Sequence, residues 1–192
     1  YDNDGWLDVY AVNGAPIQGL EKNEPRYWNR LYRNQGQGKF LDVTEAAAGL
    51  QSLGVSAGDF VAIMAGNRPE HGAADLAASM AGGTGVTIYS TFVPEQVQYV
   101  ANNCEAKVAV VENLGFMKTW ESIKSELPHL THVVMMDDAD HFQGYDWVIS
   151  WDELIKRGQE ALSREPEQVE RARRQVTPES IATLIYTSGT TG

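Results

Sequence analysis

The sequence predicts an α/β protein: a partial parallel sheet with flanking helices, preceded by a short β-meander. From about residue 45, wholly apolar stretches of strand length alternate with segments whose apolar residues recur at helical spacing. Strands without polar alternation are buried on both faces, as in a parallel sheet covered by helices. Residues 1 to about 44 have another texture, rich in Asn, Gly, Asp, Tyr and Trp. There apolar and polar residues alternate between Asp-Gly and Asn-Gly turns, the pattern of short antiparallel strands.

The elements follow in order. Residues 7–12, 29–34 and 39–43 read as the meander strands, with Gln35-Gly36-Gln37-Gly38 as a turn. A helix then starts at the seam, with Thr44 as its expected N-cap, Leu50 and Leu53 on one face and Gly54 as terminator. No Pro- or Ser-rich linker separates the two textures, so units 1–44 and 45–192 are expected to abut. Strands are predicted at 60–64, 86–89, 107–111, 132–136 and 181–186. Helices are predicted at 69–80, from Pro94 as first residue through Val97, Val100, Ala101 and Cys104, at 114–126 and at 151–162.

Composition narrows the function classes. With 43% hydrophobic residues among 192, the chain can bury a core. A net charge of -11 and a pI of about 4.7 argue against a partner held by its phosphate backbone, so no nucleic acid is expected. The single cysteine, Cys104, excludes an internal disulfide and a cysteine metal cluster. No apolar run approaches the roughly 18 residues of a membrane span, so no transmembrane segment is expected. Tyr1-Asp2-Asn3-Asp4-Gly5 is neither a signal peptide nor a start at Met, and the expectation is a longer reading frame.

Two stretches carry chemistry. Thr187-Ser188-Gly189-Thr190-Thr191-Gly192 follows the last predicted strand. Its hydroxyls can donate hydrogen bonds, and its glycines let backbone N–H groups approach an anion. Ligands of parallel sheets gather at the carboxyl ends of strands, where this loop stands. It lacks the Gly-Lys-[Ser/Thr] ending of a Walker loop; by spacing alone it could equally be a flexible tail. At the other end, Asp2-Asn3-Asp4-Gly5-Trp6-Leu7-Asp8 fits a calcium loop lacking its first ligand. Alternating carboxylates converge on a hard cation there, and the glycine permits the sharp turn. Asp2, Asp4 and Asp8 would supply carboxylates and Trp6 a backbone carbonyl; a solvated Asp/Asn turn is the alternative.

Residues 186–192, Tyr-Thr-Ser-Gly-Thr-Thr-Gly, resemble the phosphate-loop signature of adenylate-forming enzymes, the AMP-binding superfamily. Leu53-Gly54-Val55 with Gly58-Asp59-Phe60-Val61-Ala62-Ile63 resembles the family's opening, and Asn67-Arg68-Pro69-Glu70 its "NRPEW" helix start, with His71 in place of Trp. Ile88-Tyr89-Ser90-Thr91 through Pro94-Glu95-Gln96-Val97 resembles its "IYPTSSPEQV" stretch. Leu127-Pro128-His129-Leu130 and Ser150-Trp151-Asp152-Glu153-Leu154 resemble the long-chain fatty acid–CoA ligase branch. The resemblance covers about three quarters of the chain, from about Ala46.

It implies a ligase that uses ATP, Mg²⁺ and coenzyme A: a fatty acid becomes an acyl-adenylate and then an acyl-CoA. Thr187, Ser188, Gly189, Thr190, Thr191 and Gly192 would hold the nucleotide phosphates. The family's Pro-Lys-Gly continuation, Thr-Glu motif, ribose-binding Asp and catalytic Lys are not among these 192 residues. The chain alone is therefore expected to be inactive as a ligase, with no catalytic residue of its own. Residues 29–34 with Gly36, Gly38, Phe40, Asp42, Val43 and Thr44 resemble an FG-GAP/VCBS repeat, a blade of calcium-binding propellers. The two resemblances imply different compartments, the cytoplasm or its membrane face for the ligase and the outside for the repeat. A chimeric or fragmentary product is expected; the competing reading is a calcium-binding interaction module on a non-catalytic α/β scaffold.

Other features have plainer expectations. Asp137-Asp138-Ala139-Asp140-His141 reads as a solvated acidic loop. His71, His129 and His132 lack ligand spacing, and Cys104 reads as core. Residues 165–174 read as a solvated helix face with Glu167–Arg171 and Glu170–Arg174 pairs. Trp120, Trp147 and Trp151 read as packing residues.

Overall fold

The computed structural model describes residues 9–11, 30–34 and 40–187, with side chains from Asp42 onward. Val9–Ala11 (β1), Arg30–Asn34 (β2) and Phe40–Asp42 (β3) form the expected antiparallel meander, with Tyr10 opposite Leu31 and Arg33 opposite Leu41. β3 passes without a break into α1 (Val43–Ser52). The cap is Asp42, whose Oδ1 accepts from the Thr44 amide at 2.9 Å, and not Thr44 as the sequence suggested. The buried stripe already begins at Val43 and continues through Ala46, Ala47 and Leu50, which draws Thr44 inside the first turn. Gly54, with φ +91°, supplies the left-handed turn that stops the helix.

Five strands form the parallel sheet: β4 (Phe60–Met64), β5 (Thr84–Thr87), β6 (Val108–Val111), β7 (His132–Met135) and β8 (Val148–Ser150). Their spatial order is β5-β4-β6-β7-β8. The connecting helices are α2 (Pro69–Met80), α3 (Pro94–Asn103) and α4 (Leu114–Ile123), the last tightening into a 3₁₀ turn at Lys124–Glu126. α5 (Trp151–Arg164) and α6 (Gln168–Gln175) follow β8.

Successive strand residues feed opposite cores, as the pleat requires. Val61, Ile63, Val108, Val110 and Val134 face α1, α2, α5 and α6. Ala62, Met64, Ala109, Val111, Val133 and Met135 face α3 and α4. Both faces being covered is why the central strands β4 and β6 are apolar throughout.

Three strand expectations differ from the structure: residues 181–186 form no strand and make one isolated bridge to β5, at Thr183, because the described segment is largely exposed. β5 lies two residues earlier than residues 86–89, because its pairing with β4 starts where the Thr84 amide donates to Asp59 O at 2.9 Å. Thr84 and Gly85 do not extend an apolar run and so hid that start. β8 was not foreseen; it is a three-residue, half-buried edge strand with little apolar signal. In the charged segment, Glu170 pairs with Arg174 as expected, but Arg171 reaches back to Glu165 instead of Glu167. Val169 is buried, so α6 docks by one residue on an otherwise solvated helix.

α1 and α5 cross with their backbones in contact. A Cβ on Gly158 would stand 1.8 Å from the Glu45 carbonyl oxygen, and one on Gly49 2.3 Å from the Leu154 carbonyl oxygen.

At the amino ends of β4 and β6, Asp59 accepts from Lys107 Nζ at 3.0 Å and from the Ser56 amide and hydroxyl at 2.8 Å. Burial alone would raise its carboxyl, but these donors outweigh that and hold it below the ordinary carboxylate value. A depressed folded value means stabilisation present above the unfolded pKa of about 3.9 and lost as pH falls through the folded one. Asp59→Asn is expected to cost under about 1 kcal/mol at pH 7, since the pair is partly exposed. Urea melts at several pH values should show that difference shrinking below about pH 4; a pH-independent difference would refute the assignment.

Candidate functional site

The carboxyl ends of the strands are the place to look for a ligand, above all where the chain reverses direction across the sheet. After β4 the chain turns to one face through α2, and after β6 to the other through α4. The crevice between them is bridged from within. Glu112 Oε2 accepts from the Gly66 amide at 2.6 Å, and Glu112 Oε1 accepts from Asn113 Nδ2 at 3.3 Å. Arg68, just past β4, donates to both oxygens of Asp137, just past β7, and to Glu70 at 2.7 Å. The two carboxylates keep Arg68 firmly charged. Asp138 accepts from the Leu114 amide at 3.2 Å. The acidic loop is thus not merely solvated: two of its carboxylates tie the strand ends together. Among the described residues no group of three or more His, Cys, Asp or Glu could hold a metal ion.

His71 lies in the first turn of α2. Its Nδ1 is 3.2 Å from Gly66 O and its Nε2 3.3 Å from Thr87 Oγ1. A carbonyl only accepts, so Nδ1 donates to Gly66 O. His71 thereby links the ends of β4 and β5 as a structural residue. Cys104 is buried at the end of α3, and burial pushes its thiol up. Trp120 and Trp151 are core, and Trp147 carries Lys124 Nζ 5.5 Å from its ring centre.

The segment that leads to Thr187 lies at the other side of β5. The segment expected as strand 181–186 makes one bridge there, Thr183 to Gly85, in the parallel sense. Thr84 Oγ1 donates to Ile181 O at 2.8 Å. Leu184 and Tyr186 pack against the α3–α4 core, and the Tyr186 hydroxyl donates to Asn103 Oδ1 at 2.7 Å. Continuing the Gly85–Thr183 register sets Ile185 level with Thr87 and Thr187 beyond the carboxyl end of β5. Thr187 is exposed. Of the sequence-predicted site, Ser188, Gly189, Thr190, Thr191 and Gly192 lie outside the described residues, as do Asp2, Asp4, Trp6 and Asp8. Asn103 is a residue the sequence did not single out, since nothing in its α3 surroundings marks a partner 83 residues away.

A parallel sheet covered by helices on both faces defines a doubly wound α/β fold. The comparisons agree. The AMP-binding enzyme model matches residues 40–192, and an FG-GAP-like repeat model matches residues 1–61. Long-chain-fatty-acid–CoA ligase ACSBG2 of Xenopus laevis is 35% identical over 77% of this chain and 19% of its own length. Long-chain-fatty-acid–CoA ligase ACSBG1 of Rattus norvegicus is 32% identical over 97% of this chain and 24% of its own. Among solved structures, the anthranilate CoA ligase AuaEII, in complex with anthranoyl-AMP, superposes with a TM-score of 0.61 at 26% identity, over 81% of this chain and 28% of that one. Coronafacic acid ligase from Pectobacterium brasiliense, at 17% identity and a TM-score of 0.62 over 78% and 29% of the two chains, shares the fold.

The chain belongs to the AMP-binding enzyme family, and the two curated relatives above are long-chain fatty acid–CoA ligases. It spans about a fifth to a quarter of the length of those relatives.

Proposed function

We propose that this chain is the phosphate-holding part of an ATP-dependent fatty acid–CoA ligase and that the 192-residue polypeptide makes no acyl-CoA by itself. One observation supports the reading: the segment that bridges β5 at Thr183, continued in the same register, brings Thr187 past the carboxyl edge of the sheet, where the Ser/Thr/Gly run of the sequence begins. Its donors suit an anion, with hydroxyls at Thr187, Ser188, Thr190 and Thr191 and backbone N–H groups at the glycines.

In the complete reaction a carboxylate oxygen bonds to the α-phosphorus of ATP, and the bond to pyrophosphate breaks. The coenzyme A sulfur then bonds to the acyl carbon, and AMP leaves. Donors fixed around the β- and γ-phosphates stabilise charge as it moves onto pyrophosphate, an electrostatic role. Mg²⁺ would neutralise part of the same charge, and the described residues offer it no cluster of carboxylates.

Calorimetric titration with MgATP tests the phosphate reading. The wild-type chain should bind saturably, and Ser188→Ala with Thr190→Ala should weaken binding about tenfold or more, the cost of two hydrogen bonds to a charged acceptor. Acyl-CoA formation above a heat-inactivated control would overturn the proposed inactivity.

The match of residues 1–61 to an FG-GAP-like repeat, with its three-stranded meander, favours a second reading. In it residues 1–44 are a separate calcium-binding unit on Asp2, Asp4, Trp6 and Asp8, carried by a non-catalytic α/β scaffold outside the cell. A calcium heat signal with none from MgATP would select it.

A further inference from the structure

Besides the bridge of Thr183 to Gly85, side-chain hydrogen bonds hold the segment that leads to Thr187. Two of them, Thr84 Oγ1 to Ile181 O and Thr183 Oγ1 to Gly85 O, lie at or before Thr183. Between Leu184 and Thr187 the polar attachment is the Tyr186 hydroxyl, which donates to Asn103 Oδ1 at 2.7 Å and lies beside the Cys104 thiol. The Tyr186 ring packs on the α3–α4 core, so its phenol meets the end of α3 from the side of the sheet edge. Asn103 is the last residue of α3, a helix held by Val97, Val100 and Ala101 in that core. One end of the tether is therefore rigid, and the other is the residue immediately before the loop.

We infer that Tyr186 is a positioning residue: by donating to Asn103 it fixes where Thr187 leaves the sheet, and so tunes how well the following loop holds a nucleoside triphosphate. The affinity part rests on the phosphate-loop reading above. Neither Tyr186 nor Asn103 needs to touch the nucleotide. The contact is exposed to solvent, so its loss should have a modest effect, about three- to tenfold.

The test uses the whole 192-residue chain with Tyr186→Phe, Asn103→Leu and Asn103→Asp. Amide hydrogen exchange at Ile185, Tyr186 and Thr187 is read first, with the β4 amides as the check that the sheet is intact. Tyr186→Phe and Asn103→Leu should speed exchange at those three positions about three- to tenfold, and each should weaken MgATP by a similar factor. Asn103→Asp keeps an acceptor oxygen and should leave exchange near the wild-type rate. A packing role would give the reverse order, with Leu tolerated and Asp not, and would overturn the inference; so would unchanged exchange in Tyr186→Phe. If exchange follows the expected order but the wild-type chain binds no MgATP, the tether stands and the phosphate reading falls.

Discussion

Gly158→Ala should cost about 3 kcal/mol or more and lower the thermal midpoint by about 6–12 °C. The added methyl would sit 1.8 Å from the carbonyl oxygen of Glu45 and 2.9 Å from the Gly49 nitrogen. Both are backbone atoms of α1, so no side chain can swing aside; α5 itself must move. Leu154 and Leu162 on α5 are buried against α1 and α2, and that movement would also open their packing. Gln159→Ala, one residue along, is the comparison. It removes only an exposed hydrogen bond to Glu45, 3.0 Å long, and should cost under about 0.5 kcal/mol. Equal midpoints for the two variants would mean that α1 and α5 are not in backbone contact.

Trp120→Ala should destabilise by about 3–5 kcal/mol, because it empties a fully buried position between α4 and the sheet. Trp120 packs in the core that holds Met117, Ile123, Leu127, Met135 and Phe142. Its indole N–H finds no hydrogen-bond partner among the described residues. Trp120→Phe therefore keeps an aromatic ring and forfeits no hydrogen bond, and it should cost less than half as much. Urea melts of the two variants check this. A Phe variant as unstable as the Ala variant would show that the N–H has a partner after all, such as an ordered water.

Much of this architecture could be read from the sequence, and the reasons are local. Phe60–Met64 and Pro69–Met80 occur as expected, since an unbroken apolar run and a proline at the first helical turn are strong signals. Pro94 likewise opens α3. The errors fall where a tertiary partner decides. Thr44 and Asp42 are both good caps, and only the burial of Val43 selects Asp42. β8 exists because Val133 and Met135 offer it an edge, not because its three residues demand a strand. The run from Thr187 to Gly192 stood out by residue type, whereas the contact just before it did not. Hydroxyls and glycines at close spacing announce anion chemistry, but the Tyr186–Asn103 contact joins residues that no short pattern connects. The acidic loop is exposed as expected, but its ion pair was hidden for a related reason, because Arg68, the partner of Asp137, lies 69 residues earlier.

The long reach between β5 and the strand that leads to Thr187 also has a consequence for the order of folding. Thr84 meets Ile181 across 97 residues, whereas β4 pairs with β5 over the span of a single helix. Contacts of large sequence separation carry the greatest loop-closure entropy and tend to form late. As the polypeptide emerges from the ribosome, β4 through β8 can assemble before residue 181 exists, with one flank of β5 waiting as an open template. Among the described residues, the segment leading to Thr187 is then the latest to join β5.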